Sequence, residues 1–226
     1  MQRCERAVSQ YAPEIEIEAK FGVQDPAVIE RLISDLEVGG LRATGDGHVS
    51  EYIDHYLDTP DDRLRRLGWT LRIRHIPGAV LGSLKSIVPP TPGSLHVRTE
   101  IEATAHETPD PRTWPDSEVR RRALELLGEG SPSIVAAVRQ HRIVRELSDE
   151  HGLLIELSID DVKIDVNGEQ AARWFEIEIE LAAGSPRQLE RLAAHLILEY
   201  GLAPEERSKG DRALALARGE GLARSS

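Results

Sequence analysis

Two stretches of this chain alternate strictly between apolar and charged residues: Glu14-Ile15-Glu16-Ile17-Glu18-Ala19-Lys20 near its start and Glu176-Ile177-Glu178-Ile179-Glu180-Leu181 near its end. A period of two marks a β-strand with two distinct faces. The polar face is almost wholly carboxylate here, with like charges about 6.5–7 Å apart along the strand. Like charges gathered on one sheet face destabilise it. A fold that contains these strands must give their acidic faces something to meet.

The alternation recurs in further strands with both signs of charge. Their polar faces collect Glu16, Glu18 and Lys20; Arg72 and Arg74; Lys85; Arg98, Glu100 and Glu102; Arg142; Glu156 and Asp160; and Glu176, Glu178 and Glu180. Two arrangements accommodate such faces. One is an open sheet whose charged side is solvated, each cross-strand pair contributing a few tenths of a kcal/mol. The other is a sheet closed on itself, with the charge in a lumen and the apolar faces outward beneath helices. The second arrangement inverts the usual core and demands a highly charged ligand. Its carboxylates suit a hard cation such as Mg²⁺ or Mn²⁺, and its basic residues suit an anion. Of the 28 basic residues only four are lysines, and three of those, Lys20, Lys85 and Lys209, fall in the motifs quoted below. A chain so inclined to arginine that keeps a compact ammonium at a site selects a point charge over a planar fork.

Around these strands, Asp25 and Pro26 open a helix of about three turns with Val28, Ile29, Leu32, Ile33 and Leu36 on its apolar face. Residues 105–139 read as a helical insertion, with a second short helix begun by Ser131-Pro132 and running through Ile134, Val135 and Val138. Ser185-Pro186 and Ser208-Lys209 open two later helices, Asn167-Gly168 marks a hairpin turn, and residues 89–93 form a proline-rich break. No low-complexity linker divides the chain. The expectation is one domain over residues 1–226 with its core at about 14–217. Its class is α+β: an antiparallel β-barrel or tunnel of about eight strands with helices packed outside.

Composition narrows the function. A net charge of −11 argues against a general nucleic-acid surface, which needs a basic stripe. No apolar run approaches the roughly 18 residues of a membrane span, and the opening MQRCERAVSQ lacks the core of a signal peptide, so the cytoplasm is the expected compartment. The single cysteine, Cys4, allows no internal disulfide and no thiolate cage, and the eight histidines lack metal-binding spacing. Trp69 and Trp114 read as packing residues, Lys163 as a surface residue, and Asp58-Thr59-Pro60 as a turn.

The motifs in their order resemble the CYTH superfamily, the triphosphate tunnel metalloenzymes. Glu16-Ile17-Glu18-Ala19-Lys20 is similar to the family's ExExK, Tyr56-Leu57-Asp58-Thr59 to its Y-x-D-T, Leu71-Arg72-Ile73-Arg74 to its L-R-x-R, and Leu84-Lys85 to its strand lysine. Arg98-Thr99-Glu100-Ile101-Glu102 resembles R-x-E-x-E, Arg142 the arginine after the insertion, Asp160 the acid closing an E-x-x-x-D strand, Glu176 to Glu180 the late E-x-E, and Ser208-Lys209 the C-terminal S-K.

The resemblance implies a tunnel holding a triphosphate bridged to carboxylates by one or two divalent cations, Mg²⁺ or Mn²⁺. It places Glu16, Glu18, Glu176, Glu178 and Glu180 around one metal, with Glu102 and Asp160 near a second. Glu100 stands either as a metal ligand or as an internal ion-pair partner. Lys20, Arg72, Arg74, Lys85, Arg98, Arg142 and Lys209 would grip phosphate oxygens, and Glu16, Glu18, Lys20, Glu102 and Asp160 form the catalytic group. Hydrolysis of inorganic tripolyphosphate to pyrophosphate and phosphate is the activity implied first. Thiamine or nucleoside triphosphate hydrolysis, a class IV adenylyl cyclase and a non-catalytic polyphosphate-binding module are the alternatives. The expected partner is a small triphosphate, with neither nucleic acid nor membrane, and a homodimer stays open.

Overall fold

A computed structural model describes residues 14–87 and 95–221. The proline-rich break at 89–93 and Cys4 lie outside the described residues. In chain order the elements are β1 (Glu14–Gly22), α1 (Ala27–Ser34), β2 (Glu37–Val38), β3 (Leu41–Asp58), α2 (Arg63–Arg66), β4 (Trp69–Ile76), β5 (Ala79–Ser86) and β6 (Leu95–Thr104). There follow α3 (Glu118–Leu127), β7 (Ser133–Ser148), β8 (Leu154–Val166), β9 (Glu169–Ala183), α4 (Pro186–Tyr200), β10 (Ala203–Pro204) and α5 (Lys209–Ala217).

Eight strands pair antiparallel in the order β1-β6-β5-β4-β3-β7-β8-β9, and β9 pairs back onto β1, which closes the barrel. β1 makes the closure by pairing with β6 over Glu14–Ala19 and with β9 over Glu18–Gly22. Directly paired residues share a face, so the register carries the alternation around the ring. Arg72 lies opposite Tyr56 and Ser83, Lys85 opposite Glu100, Glu16 opposite Arg98, Glu180 opposite Glu18 and Glu156, and Asp160 opposite Arg142 and Glu176.

Two stretches of the outward face are apolar and covered by helices. Leu71, Ile73 and Leu84 are fully buried beneath α2 and α3, whose Leu64, Val119, Ala123 and Leu127 complete that cluster with Trp114. On the other side, Phe21, Ile155, Leu157, Ile177 and Ile179 pack under Leu32 of α1 and Leu189, Leu192 and Leu196 of α4. Arg145 points outward from β7 and caps the C-terminal end of α1, donating to the carbonyls of Leu32 and Asp35. α5 is the exception, for it packs against inward-facing residues. Its Ala213 and Leu214 meet Tyr56, Ala136, Val138, Val162 and Ile164 and fill one end of the barrel. Among the described residues no helix is long and apolar enough to cross a membrane.

Two local expectations are corrected. The short helix begun by Ser131-Pro132 is instead the start of β7, where Ser133, Ile134 and Ala136 pair with Asp58, Leu57 and Tyr56. Ile134, Val135 and Val138 are β-branched, and a free edge of β3 offers such residues a better site than a short isolated helix. α1 has only eight residues, so Leu36 falls beyond it and is 81% exposed, while Asp25 accepts a hydrogen bond from the amide of Ala27. Gly45 and Gly47 lie within β3. Their positive φ values accompany a register shift against β7 between Thr44 and His48.

Elsewhere local chemistry and structure agree. Asn167 and Gly168 both have positive φ, as the hairpin between β8 and β9 requires. Asp58 accepts from the amides of Thr59, Leu64 and Arg65, a turn and helix-start role. Capping boxes at Ser185 and Ser208 open α4 and α5. The second box matters for the interior, because it fixes the position from which Lys209 enters the barrel.

Candidate active site

The barrel encloses a cavity of about 550 Å³, within the size range of small-ligand sites. Seven basic side chains line it, Lys20, Arg72, Arg74, Lys85, Arg98, Arg142 and Lys209, together with seven carboxylates, Glu16, Glu18, Glu100, Glu102, Glu156, Glu178 and Glu180. Of the site residues expected from sequence, only Asp160 and Glu176 are absent from the lining. Both are fully buried behind it.

The charges form two ion-pair groups. On the β4–β5–β6 side, Lys85 bridges Glu16 and Glu100, each at 3.0 Å. Arg72 donates to Ser83 Oγ at 2.7 Å and to Glu100 and Asp54 at 3.2 Å, with Glu102 at 3.8 Å. On the β1–β9 side, Glu18 pairs with Lys20 at 2.8 Å and with Arg98, and Lys20 reaches across to Glu178. Lys209 holds Glu176 and Glu178 at 2.7 Å and Asp160 at 3.0 Å, and Arg142 grips Asp160 through both Nε and Nη2. Glu100 thus makes the internal ion pairs that the sequence left open against metal binding.

Burial and partners set the protonation tendencies in opposite directions. Burial favours the neutral acid, but Lys20, Lys209 and Arg142 outweigh it and hold Glu178 well below the ordinary carboxylate range. Lys85 and Lys20 likewise overcome burial at Glu16, and Arg142 and Lys209 at Asp160. Glu102 differs. Burial pushes it up, and the more distant Arg72 does not compensate. The ammonium groups of Lys85 and Lys209, although buried, are raised by the carboxylates around them.

All the acidic groups in the lining are oxygen donors, the chemistry a hard divalent cation requires. Among the described residues no three acidic or histidine side chains already converge on one cation-sized point. Each strongly buried carboxylate is drawn to a basic neighbour instead. The donor set fits such a cation, with the carboxylates exchanging a basic partner for it.

Sequence reading missed several lining residues. Glu156 opens the E-x-x-x-D stretch on the charged face but was given no site role, while Tyr52 and Gln140 are uncharged and belong to none of the quoted motifs. Tyr52, Asp54 and Tyr56 share the period of β3, and that alternation was the signal available for them.

A closed eight-stranded barrel with helices outside and opposed charges lining its lumen defines the class of protein. The chain matches the CYTH domain family over residues 14–214, and it belongs to that family. Solved structures share the fold. A candidate adenylate cyclase from Bacillus halodurans is 24% identical, with a TM-score of 0.62 over 89% of this chain and 98% of that one. A candidate adenylyl cyclase from Hippeastrum, described as having a dominant triphosphatase activity, is 19% identical, with a TM-score of 0.58 over 92% and 97%. The PH1819 protein of Pyrococcus horikoshii OT3 is 22% identical, with a TM-score of 0.54 over 88% and 99%. Triphosphate tunnel enzymes of this family generally depend on divalent metal.

Proposed function

We propose that this protein is a divalent-metal-dependent triphosphatase that cleaves inorganic tripolyphosphate into pyrophosphate and phosphate, with Mg²⁺ or Mn²⁺ as the cation. The carrying observation is the lumen, where seven basic groups and seven carboxylates are brought together inside a barrel. Ion pairs removed from water recover little net stability, and apolar residues of similar volume often serve a fold as well or better. A charged interior on this scale is therefore best explained by a ligand that carries both signs, a metal-bound polyphosphate.

Each side chain then has a task. Lys20, Arg98, Arg142 and Lys209 on one side, and Arg72, Arg74 and Lys85 on the other, bind phosphate oxygens and spread along the polyanion. Glu16, Glu18, Glu178 and Glu180, with Glu100 and Glu102 on β6, would hold the cation. Asp160 and Glu176 support from behind, through Arg142 and Lys209. A bound divalent cation would offset charge on the phosphoryl oxygens as it develops. Phosphoryl transfer asks mainly for positioning and charge neutralisation. In the overall step water adds to the terminal phosphorus, the bridging P–O bond breaks, and pyrophosphate leaves. Glu102, the lumen acid that burial raises and that Arg72 at 3.8 Å only partly offsets, would accept the proton of that water.

The inorganic substrate is favoured over an organic one by the lining. Its non-ionic groups include Ile15, Leu181, Ala182 and two tyrosines. Tyr52 already carries the Arg74 guanidinium over its ring at 4.7 Å, and Tyr56 packs against Gly210, where an added Cβ would stand 2.6 Å from the ring. Family membership and the triphosphatase activity named for the Hippeastrum protein support the hydrolytic reading. Purified protein with Mg²⁺ or Mn²⁺ should release phosphate from tripolyphosphate faster than from thiamine triphosphate or ATP. Cyclic AMP as the main product from ATP would favour the cyclase reading, and no turnover of any of the three would refute the enzyme.

A further inference from the structure

Asp54 is 1% exposed, carries a carboxylate, and does not line the cavity, yet it bonds to three side chains that do. It accepts from Arg74 Nε and Nη2 at 2.7 Å each, from Arg72 Nη1 at 3.2 Å and from Gln140 Nε2 at 3.0 Å. Its geometry repeats another in the barrel. Arg142 is gripped by Asp160 through the same two nitrogens, Nε and Nη2, at the same 2.7 Å. Both pairs face each other directly across neighbouring strands, Arg74 with Asp54 and Arg142 with Asp160. The two guanidiniums flank one ring, with Arg74 at 4.7 Å and Arg142 at 5.9 Å from the centre of Tyr52. In each arginine Nη1 makes no hydrogen bond to the described residues.

Arg72 and Arg74 sit two apart on one strand face, so their charges repel and their long side chains have many rotamers open to them. A carboxylate that engages the Nε/Nη2 edge of Arg74 fixes the plane of the fork and leaves its other edge for a ligand. Resting on the reading of the cavity as a triphosphate grip, we propose that Asp54 is a positioning residue. It orients Arg74 and Arg72 toward the phosphates as Asp160 orients Arg142, without itself touching the ligand.

The sign of one substitution separates this role from simple charge balance. Asp54→Asn removes a negative charge close to a polyanion site, so a carboxylate that only balanced charge would, once removed, leave tripolyphosphate bound more tightly. A positioning carboxylate gives the reverse. The probe is tripolyphosphate with Mg²⁺, titrated calorimetrically into wild type, Asp54→Asn, Arg74→Ala and the double variant, with thermal melts as the folding control. Asp54→Asn should weaken binding about tenfold in the wild-type background and much less when Arg74 is already alanine, and KM should rise more than kcat falls. Equal or tighter binding by Asp54→Asn, or an equal loss in both backgrounds, overturns the role. If Asp54→Asn does not fold, Arg74→Lys decides. It keeps the charge but cannot present the gripped fork, so weakened binding supports the role and wild-type binding overturns it. Wild type that binds no tripolyphosphate refutes the reading of the cavity and the role of Asp54 with it.

Discussion

The two faces of β4 are held in place by opposite physics. Leu71 and Ile73 point out and are buried without exposure beneath α2 and α3, while Arg72 and Arg74 point in and are held by Asp54, Ser83 and Glu100. The outer face is stabilised by removal of apolar area from water, which needs no partner of defined geometry. The inner face is stabilised only while every charge keeps its partner, and the gain from pairing barely exceeds the cost of desolvation. The difference teaches where stability and function reside. The wall is built from outside, which leaves the inside free to carry a lattice of charges that a ligand can rearrange.

Breaking the inner lattice from one side should produce the largest loss of stability. Lys209→Met leaves Glu176 and Glu178 without its ammonium and Asp160 with Arg142 alone. Removing one partner of a buried pair costs about 3–5 kcal/mol, to be read as a lower denaturant midpoint. Leu71→Ala attacks the outer face, and a loss of about 2–5 kcal/mol is expected. Its turnover per folded molecule should be preserved, which assays below the shifted melting temperature will show.

Glu18→Gln should act on the inside without acting on the wall. It retains shape and the capacity to accept hydrogen bonds while removing charge from a group that faces Lys20 and Arg98. The expected result is hydrolysis lost by at least roughly a hundredfold, with near-native circular dichroism.

The smallest effect is on acid stability. Asp54, Asp160 and Glu178 are buried, which alone would raise them, but their basic partners hold all three below the usual range. Below about pH 4 the unfolded chain takes up protons that the folded chain refuses. Their contribution is therefore complete above the ordinary carboxylate range and is lost as pH falls through and below it. Melting temperature should fall between pH 5 and 3, and less steeply in Asp54→Asn than in wild type.

Much of this was legible in the sequence because alternation reports which face a residue occupies. Thirteen of the fifteen residues expected at the site line the cavity, with Asp160 and Glu176 the two that do not. Alternation gives the face but not the depth. Those two sit behind the lining because Arg142 and Lys209 lie over them, a matter of side-chain length and of where α5 docks. The same limit hid where α5 docks, for the helix opened by Ser208-Lys209 has an apolar face that reads like that of an outer helix, although it packs on inward residues such as Val138 and Ile164. Ser131-Pro132 misled for another reason. The pair is a sound helix-start signal locally, and the unpaired length of β3 overrode it. Asp54 escaped notice because a single acid among Tyr52, His55 and Tyr56 carries no motif, and its importance comes from the cross-strand register with Arg74.

The central claim is that the interior charges form a grip for a metal-bound triphosphate and not a closed structural lattice. The most direct test is a calorimetric titration of tripolyphosphate into the wild-type protein with and without Mg²⁺. One saturable site per chain is predicted, much tighter with Mg²⁺ and weakened by added salt. No binding under either condition, with the ion pairs of the lumen left undisturbed, would contradict it.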